Sequence, residues 1–428
     1  MTAPAAIGLL LTGVTIADRE GTSEVLITKE RIAAISPDVG DHPAAAAARR
    51  IDLSGYLLLP APVEPHAHLD KAMLGDRAPN PAGDLAGAIE ANRVVYPTLT
   101  REDIRARALA ALDIAVRRGY SVVRTHANVE AGLGLTAVET LLEVSAEVAS
   151  SIDVQVVALV GSPLTGLDGA PNRALLRGAI EAGAHVVGGA PWLDPLPDDA
   201  VRWLVDCAAD AGLPIDLHLD ETLDPTGDSL TSFATCVARR GLGGRAVASH
   251  CVNLGQHDPA VVLARAHLLA QSGVAVVALP QTNLLLQGRD LNTRVPRAMT
   301  PVRLLQQTGV SVAAGGDNWR DMFNPLGRID PFETAALLAA VGHLSPDAAY
   351  AAVSTEARRT LALAPAAIDI GARAELLAVR AASLGEAVAA APEDRAVIHR
   401  GRLVAHTRTA VERDYAWQVT DQFVSAEE

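Results

Sequence analysis

The chain has 428 residues and a formal net charge of −14, which allows one large enzymatic domain with a smaller one. The acidic balance argues against nucleic acid or an anionic membrane as partner, because both select clustered Lys and Arg. Hydrophobic residues make up 49% of the chain, but no apolar run reaches about 18 residues, so no membrane-spanning helix is expected.

Cysteine usage and the N-terminus indicate the compartment. The three cysteines, Cys207, Cys236 and Cys251, are scattered, and the N-terminus has no basic, signal-like segment. Both features favour a reducing, cytoplasmic location over a disulfide framework. The composition is compatible with a homo-oligomer and does not determine the oligomeric state.

Strand-like alternation opens the chain over residues 7–60. Repeating units follow, each with a β-branched apolar run, a polar loop and a helical stretch rich in Ala and Leu. The predicted strands of these units are Pro62–His66, Ser121–His126, Asp153–Leu159, Ala184–Gly189, Pro214–His218, Arg245–His250, Val274–Leu279 and Val310–Gly316. The predicted helices between them include Arg101–Arg118, Ala137–Ser150, Asp198–Gly212 and Gln256–Ser272. Such alternation predicts a parallel sheet covered outside, and eight units in about 250 residues predict an α/β fold of the closed (β/α)8 TIM-barrel type.

Residues 368–407 return to strand-like alternation. Neither chain end has enough strands to bury a face alone, so we expect both ends to pair into one small β-sandwich domain. The predicted domains are therefore the barrel, 61–365, and a composite β domain from 1–60 and 366–428. The last twenty residues are polar, and we expect a tail or an oligomer contact there.

Metal-binding residue types recur where predicted strands end. They are His66 and His68 at the first strand, His218 at the fifth, His250 at the sixth and Asp317 after the eighth. The carboxyl ends of barrel strands converge on one face. Side chains two apart on a strand point the same way, so both imidazoles of His66-x-His68 can reach one ion. Neutral imidazoles with one carboxylate suit Zn²⁺ or Fe²⁺ and leave a position open for water.

Four segments resemble the signatures of the amidohydrolase superfamily in its cytosine deaminase branch, which includes N-isopropylammelide amidohydrolase. They are PHAHLDK at 65–71, DLHLDE at 216–221, ASH at 248–250 and GGDN at 315–318. RTHANV at 124–129, NLLLQGR at 283–289 and NPLG at 324–327 are also similar to that branch. The similarity extends from the N-terminal β segment to about residue 407, and these motifs specify the superfamily better than the substrate.

The resemblance implies a role for each matching residue. The implied metal ligands are His66, His68, His218 and Asp317. Glu221 matches the family's proton shuttle to a ring nitrogen, and His250 matches the histidine that helps Asp317 orient and deprotonate the attacking water. Many relatives hold two metals bridged by a lysine at the end of strand 4, where this chain reads AHVVGGAPW at 184–192. With lysines only at positions 29 and 71, we expect one divalent transition metal per chain, Zn or Fe.

Two departures from the family concern the substrate. Gly161 stands where cytosine deaminase uses a glutamine to read the pyrimidine, and Asn318 replaces a second aspartate after strand 8. An amide donates as well as accepts, unlike a carboxylate. Cytosine itself is therefore not the expected substrate, and the space at Gly161 is expected to admit a substituent.

Other side chains at the predicted mouth have competing interpretations. Lys71 is either a substrate ligand or a rim residue, and Trp192 is either a pocket wall or a packing residue. Gln287 and Asn283 either read a ring edge or cap a loop. Asp70, His126 and Asp220 are expected to hydrogen-bond to the ligands and to fix the imidazole tautomers.

These observations predict a metal-dependent deaminase that releases ammonia or an amine from a small pyrimidine- or triazine-like heterocycle. One alternative is an amidohydrolase that opens a cyclic amide or imide. Another is an inactive barrel that serves as a binding scaffold; the retention of Glu221, His250 and Asp317 argues against it.

Overall fold

A computed structural model describes residues 8–17, 19–412 and 414. The predictions for 1–7 and for almost all of the polar C-terminal tail lie outside the described residues. The strands are β1 (Leu9–Ile16), β2 (Thr22–Thr28), β3 (Arg31–Ser36), β4 (Arg49–Asp52), β5 (Tyr56–Pro60), β6 (Val63–Ala67), β7 (Val122–Val129), β8 (Asp153–Val160), β9 (Val186–Gly189), β10 (Ile215–Leu219), β11 (Ala246–His250), β12 (Val274–Ala278), β13 (Val312–Ala314), β14 (Leu376–Arg380), β15 (Arg395–His399) and β16 (Arg402–Thr407).

Thirteen α-helices occur in the described residues: at least one lies between each consecutive pair of barrel strands, and four follow β13. They are α1 (Leu85–Val95), α2 (Arg101–Arg118), α3 (Thr136–Val148), α4 (Ala170–Glu181), α5 (Pro197–Ala211), α6 (Ser229–Arg240), α7 (Pro259–Ser272), α8 (Pro280–Leu286), α9 (Val302–Gln307), α10 (Pro331–Ala340), α11 (Pro346–Ala352), α12 (Thr355–Thr360) and α13 (Leu384–Ala390). Short 3₁₀ helices occur at Tyr96–Thr98, Pro191–Leu193 and Val252–Gln256.

The predicted barrel is confirmed. Strands β6 to β13 pair in chain order, and every pair is parallel. The seam between β6 and β13 is closed by a bridge between Ala67 and Asp317, where Asp317 N donates to the His66 carbonyl at 3.0 Å. The strands are buried throughout their length except at Asp153 and Gln155 of β8, as expected for a parallel sheet covered by helices.

The small β domain is built from both chain ends, as predicted. Its sheet has the order β16-β15-β14-β5-β1-β2-β3, with β4 beside β1, and the antiparallel pair β5–β14 joins the two ends. One face encloses an apolar cluster that includes Leu11, Val25 and Ile398. Leu57 and Leu377 belong instead to the barrel core, so the other face packs on the barrel.

Helix α2 shows how local sequence positions this contact. Thr100 caps its N-terminus by accepting from Asp103 N, and Gly119 ends it with φ +107°, a conformation that favours glycine. A Cβ atom at Gly119 would lie 2.9 Å from Leu377, so the glycine also permits close packing on the small sheet. The exact boundaries predicted for the two domains remain a prediction.

No helix in the described part of the chain is long and apolar enough to cross a bilayer.

Candidate metal centre and active site

Four side chains from three strand ends, those of β6, β10 and β13, meet at the carboxyl face of the barrel. His66 Nε2 lies 3.1 Å from His218 Nε2, and His218 Nε2 lies 3.3 Å from His68 Nε2. Asp317 Oδ1 lies 3.2 Å from His68 Nε2 and 3.7 Å from His66 Nε2. All four residues are buried. The arrangement brings together the four side chains that were predicted as metal ligands.

The protonation of this cluster favours a bound cation. Burial lowers the pKa of His66, His68 and His218 well below the usual value, so the imidazoles are neutral. His68 Nδ1 lies 3.2 Å from the His126 carbonyl and 2.9 Å from Lys71 Nζ, while its Nε2 faces His218 and Asp317. Neither carboxylate oxygen of Asp317 has a hydrogen-bond partner among the described residues. Converging nitrogen lone pairs beside an unpaired carboxylate fit a divalent transition metal.

A buried network under the cluster orients His66. Ser249 Oγ donates to Asp216 Oδ1 at 2.8 Å and lies 2.9 Å from His66 Nδ1. Its one proton is given to Asp216, so Ser249 accepts from His66 Nδ1–H and the lone pair of His66 is on Nε2. Arg124 Nη1 donates to Asp216 Oδ2 at 2.9 Å. Sequence reasoning missed these three residues, although Arg124 and Asp216 are charged residues inside apolar strands, a signal of an internal ion pair.

Glu221, His250 and Asp317 lie together at the mouth. His250 Nδ1 donates to Asn283 Oδ1 at 3.1 Å, so Nε2 carries the lone pair and lies 4.0 Å from Asp317 Oδ2. Glu221 Oε1 is 3.4 Å from His250 Nδ1. Burial, followed by the nearby charge of Asp317, raises the pKa of Glu221 well above its usual value. This shift favours the protonated form of Glu221, which can donate a proton.

The predicted tautomer-fixing contacts of Asp70 and Asp220 are wrong. Asp220 accepts from Ser229 N and Leu230 N, each at 3.1 Å, because it caps the start of α6. Asp70 accepts from Asn128 N at 3.0 Å. His126 acts through its carbonyl on His68, as described above. Its ring stacks on His66 with centroids 3.8 Å apart.

A cavity of about 120 Å³, partly open to solvent, is lined by His68, His218 and Asp317 of the cluster. Of the predicted substrate residues, Lys71, Gly161, Trp192 and Asn318 line it. Gln287 instead donates to the Glu221 carbonyl at 3.1 Å, which anchors the loop that carries Glu221.

Two lining residues are already engaged with neighbours. Lys71 Nζ donates to Asn128 Oδ1 at 2.7 Å and lies 2.9 Å from His68 Nδ1. The Asn318 amide accepts from Thr282 Oγ1 at 3.1 Å and donates to Asp321 Oδ2 at 2.9 Å. Asn318 is thus held in one orientation at the cavity wall.

The space expected above Gly161 is filled. A Cβ atom at position 161 would lie 2.8 Å from Glu130 Cβ, because the side chain of Glu130 from the neighbouring βα loop lies over the glycine. Glu130, Asn128, Asn92 and Arg93 also line the cavity, and sequence reasoning had not selected them. Asn92 and Arg93 lie on α1, whereas Asn128 lies near the end of β7 and Glu130 directly follows that strand.

Comparisons with known proteins agree with this site. The chain is 31% identical over 409 residues to a pterin deaminase from Rhizobium rhizogenes, covering 94% of this chain and 90% of that protein. A 5-methylcytosine deaminase structure from Klebsiella pneumoniae has 29% identity and a TM-score of 0.85, with 95% of this chain and 99% of that chain covered. An N-isopropylammelide isopropylaminohydrolase structure from Burkholderia multivorans has 29% identity and a TM-score of 0.79, with 94% and 99% covered.

The family model described as "Amidohydrolase family" matches residues 74–405. That span contains most of the barrel, including Glu221, His250 and Asp317, and continues into the C-terminal β strands. The resemblance seen in the sequence is thereby confirmed: the chain belongs to the amidohydrolase family and is a hydrolase that acts on C–N bonds.

Proposed function

We infer that the protein is a metal-dependent deaminase that releases ammonia or an amine from a small amino-substituted nitrogen heterocycle. The observation that carries this inference is the meeting of Glu221, His250 and Asp317 at the histidine cluster. The relatives named above, whose names describe the removal of an amino or alkylamino group from a heterocycle, support it.

The proposed cofactor is one ion of Zn²⁺ or Fe²⁺, held by His66, His68, His218 and Asp317. When bound, the ion lowers the pKa of a water molecule and so supplies the nucleophile. A single ion is supported by the end of β9, where Gly188 and Gly189 offer no bridging side chain.

The proton transfers follow from the positions of three side chains. Asp317 Oδ2 and His250 Nε2 have no hydrogen-bond partner in the described part of the chain, so both are free to take a proton from the attacking water. Glu221, protonated because it is buried, gives its proton to a ring nitrogen. Water adds to the amine-bearing carbon, and the proton taken from the water passes to the amine nitrogen as the C–N bond breaks. The remaining hydroxyl proton returns to Glu221, which leaves an oxo-heterocycle.

The proposed substrate is an amino- or alkylamino-heterocycle larger than cytosine. The cavity beside the histidine cluster has apolar walls that include Trp192, Phe323 and Ile89. Contact with apolar walls of this kind contributes about 25 cal/mol per Å² of apolar surface buried. A bicyclic or substituted ring covers more of them.

The test is a screen of purified protein loaded with Zn²⁺ or Fe²⁺ against aminopyrimidines, aminotriazines, purines and pterin. Released ammonia or amine is quantified, and products are identified by mass spectrometry. Glu221→Gln is the inactive reference, and Glu90→Gln, exposed on α1, is the matched control. Ring-opened products without amine release, or kcat/KM highest for cytosine, would contradict the proposal.

A further inference from the structure

The cavity has a second polar region on the wall that follows β7 and β8. Glu130 lies over Gly161, and a Cβ atom on that glycine would be 3.2 Å from Glu130 Oε2. The missing side chain at Gly161 is therefore what allows the Glu130 carboxylate to occupy this wall. Both residues line the cavity that contains the histidine cluster.

The carboxylate of Glu130 has unused acceptor capacity. Asn128 Nδ2 donates to Oε1 at 3.4 Å, which is a long contact, and no other donor to this carboxylate is present in residues 8–17, 19–412 and 414. A carboxylate has about four acceptor positions. Burial raises the pKa of Glu130, while the positive charges of Lys71 and Arg93 act in the opposite direction. A half-buried acceptor of this kind is stabilised by a ligand that supplies N–H groups.

The orientation of the Asn128 side chain on this wall is fixed by contacts that begin at the candidate metal centre. Lys71 Nζ, 2.9 Å from His68 Nδ1, donates to Asn128 Oδ1 at 2.7 Å. This bond turns Asn128 Nδ2 towards Glu130. Three contacts thus lead from a candidate metal ligand to the carboxylate, and His68 and Glu130 line the same cavity.

Resting on the deaminase function proposed above, we propose that Glu130 is a specificity-determining residue. It accepts a hydrogen bond from a ring N–H or an exocyclic amine on the substrate edge opposite the leaving amine. If a substrate instead places a lone-pair acceptor there, that acceptor faces the Glu130 carboxylate and neither group has a hydrogen-bond donor. This pairing is unfavourable. The wall thereby selects among amino-heterocycles by the hydrogen-bonding pattern of their far edge.

The experiment compares matched substrates in matched variants. Cytosine, 5-methylcytosine and pterin are each assayed beside derivatives methylated at a ring N–H. Glu130→Met removes the acceptor at similar length, Glu130→Gln removes only the charge, and Glu90→Gln is the surface control. For the compound that wild type turns over best, Glu130→Met is expected to lower kcat/KM by about 10- to 100-fold, as for a lost charge-assisted hydrogen bond. The loss should be mostly in KM, because the contact is made in ground and transition states alike.

The N-methyl derivative shows whether Glu130 acts as a hydrogen-bond acceptor or only fills space in the cavity wall. Its kcat/KM should be equal in wild type and Glu130→Met, and Glu130→Gln should lie between wild type and Glu130→Met for the parent compound. Equal losses for parent and derivative, or no loss for either, would overturn the assignment of Glu130. Melting temperature and metal content are measured for each variant, and Glu130→Gln decides the question if Glu130→Met does not fold. If metal-loaded wild type releases no amine from any compound, the proposed function itself is wrong.

Discussion

Ser249 Oγ lies 2.9 Å from Nδ1 of His66, on the side of the imidazole that faces away from the other candidate ligands. Ser249→Ala leaves a buried N–H of His66 without an acceptor and removes the group that holds its tautomer. Loss of such a contact behind a ligand lowers metal affinity by about 10- to 100-fold. Competition with a chromophoric chelator measures the change. Ser272→Ala, which removes another buried hydroxyl at the end of α7, is the control; equal affinity in both variants would refute the role of Ser249.

Metal content tests the ligand set directly. His66→Ala and His218→Ala each remove one of the converging Nε2 atoms, so both variants should lose most of the bound transition metal. Wild type should hold close to one ion per chain, since β9 carries no bridging side chain. Elemental analysis of purified protein gives the stoichiometry, with His267→Ala, exposed on α7, as control. Two tightly held ions in active protein would rule out the single-ion centre.

Glu221→Gln separates metal binding from proton transfer. The variant should retain the ion, because Glu221 is not among the converging ligand atoms, while kcat should fall ~100-fold or more through loss of a general acid. Steady-state kinetics and elemental analysis on one preparation measure both quantities. Near-normal kcat on the best substrate would show that another group supplies the proton.

Asp321 should make stability depend on pH. Burial raises its pKa to about 7, against the opposing charge of Lys71, whereas an aspartate in the unfolded chain titrates near 4. The unfolded state therefore releases this proton first. The contribution of Asp321 to the free energy of unfolding is largest below about pH 4 and decreases as the pH rises to about 7, by up to ~4 kcal/mol.

Urea unfolding at pH 5 and pH 7 measures this decrease. Asp321→Asn should show a smaller difference between the two pH values than wild type, because the amide does not ionise and can still accept from Phe323 N and Asn324 N. Asp41→Asn, in an exposed loop, should retain the wild-type difference. An unchanged difference in Asp321→Asn would show that Asp321 titrates normally.

The barrel and its candidate ligands were predictable because their signals are local. Parallel strands read as apolar runs, and His66, His218 and Asp317 stand at the ends of such runs, which a closed barrel brings to one face. The contacts between neighbours were not predictable in this way. Asp220 and Asp70 are carboxylates, the residue type that often fixes a histidine tautomer. The course of each loop brings them to backbone N–H groups instead.

The contacts in the cavity wall could not be predicted from the sequence, for the same reason. Gly161 reads as empty space in the sequence, and only the approach of the loop after β7 shows that Glu130 fills it. Ser249 has no distinctive signal in the sequence beside His250. The strand register nevertheless pairs it with His218, and its hydroxyl donates to Asp216. Loop course and strand register, both set by packing over long separations in the chain, decide these contacts.

The bridge between Ala67 and Asp317 closes the barrel where its first and last strands meet. His66 and His68 lie on one side of this junction and Asp317 on the other. An ion held by all three fastens the two edges of the sheet to each other, so part of its binding free energy is also free energy of barrel closure. A bound metal would then join β6 and β13, the first and last strands of the barrel, in addition to its proposed role in the reaction.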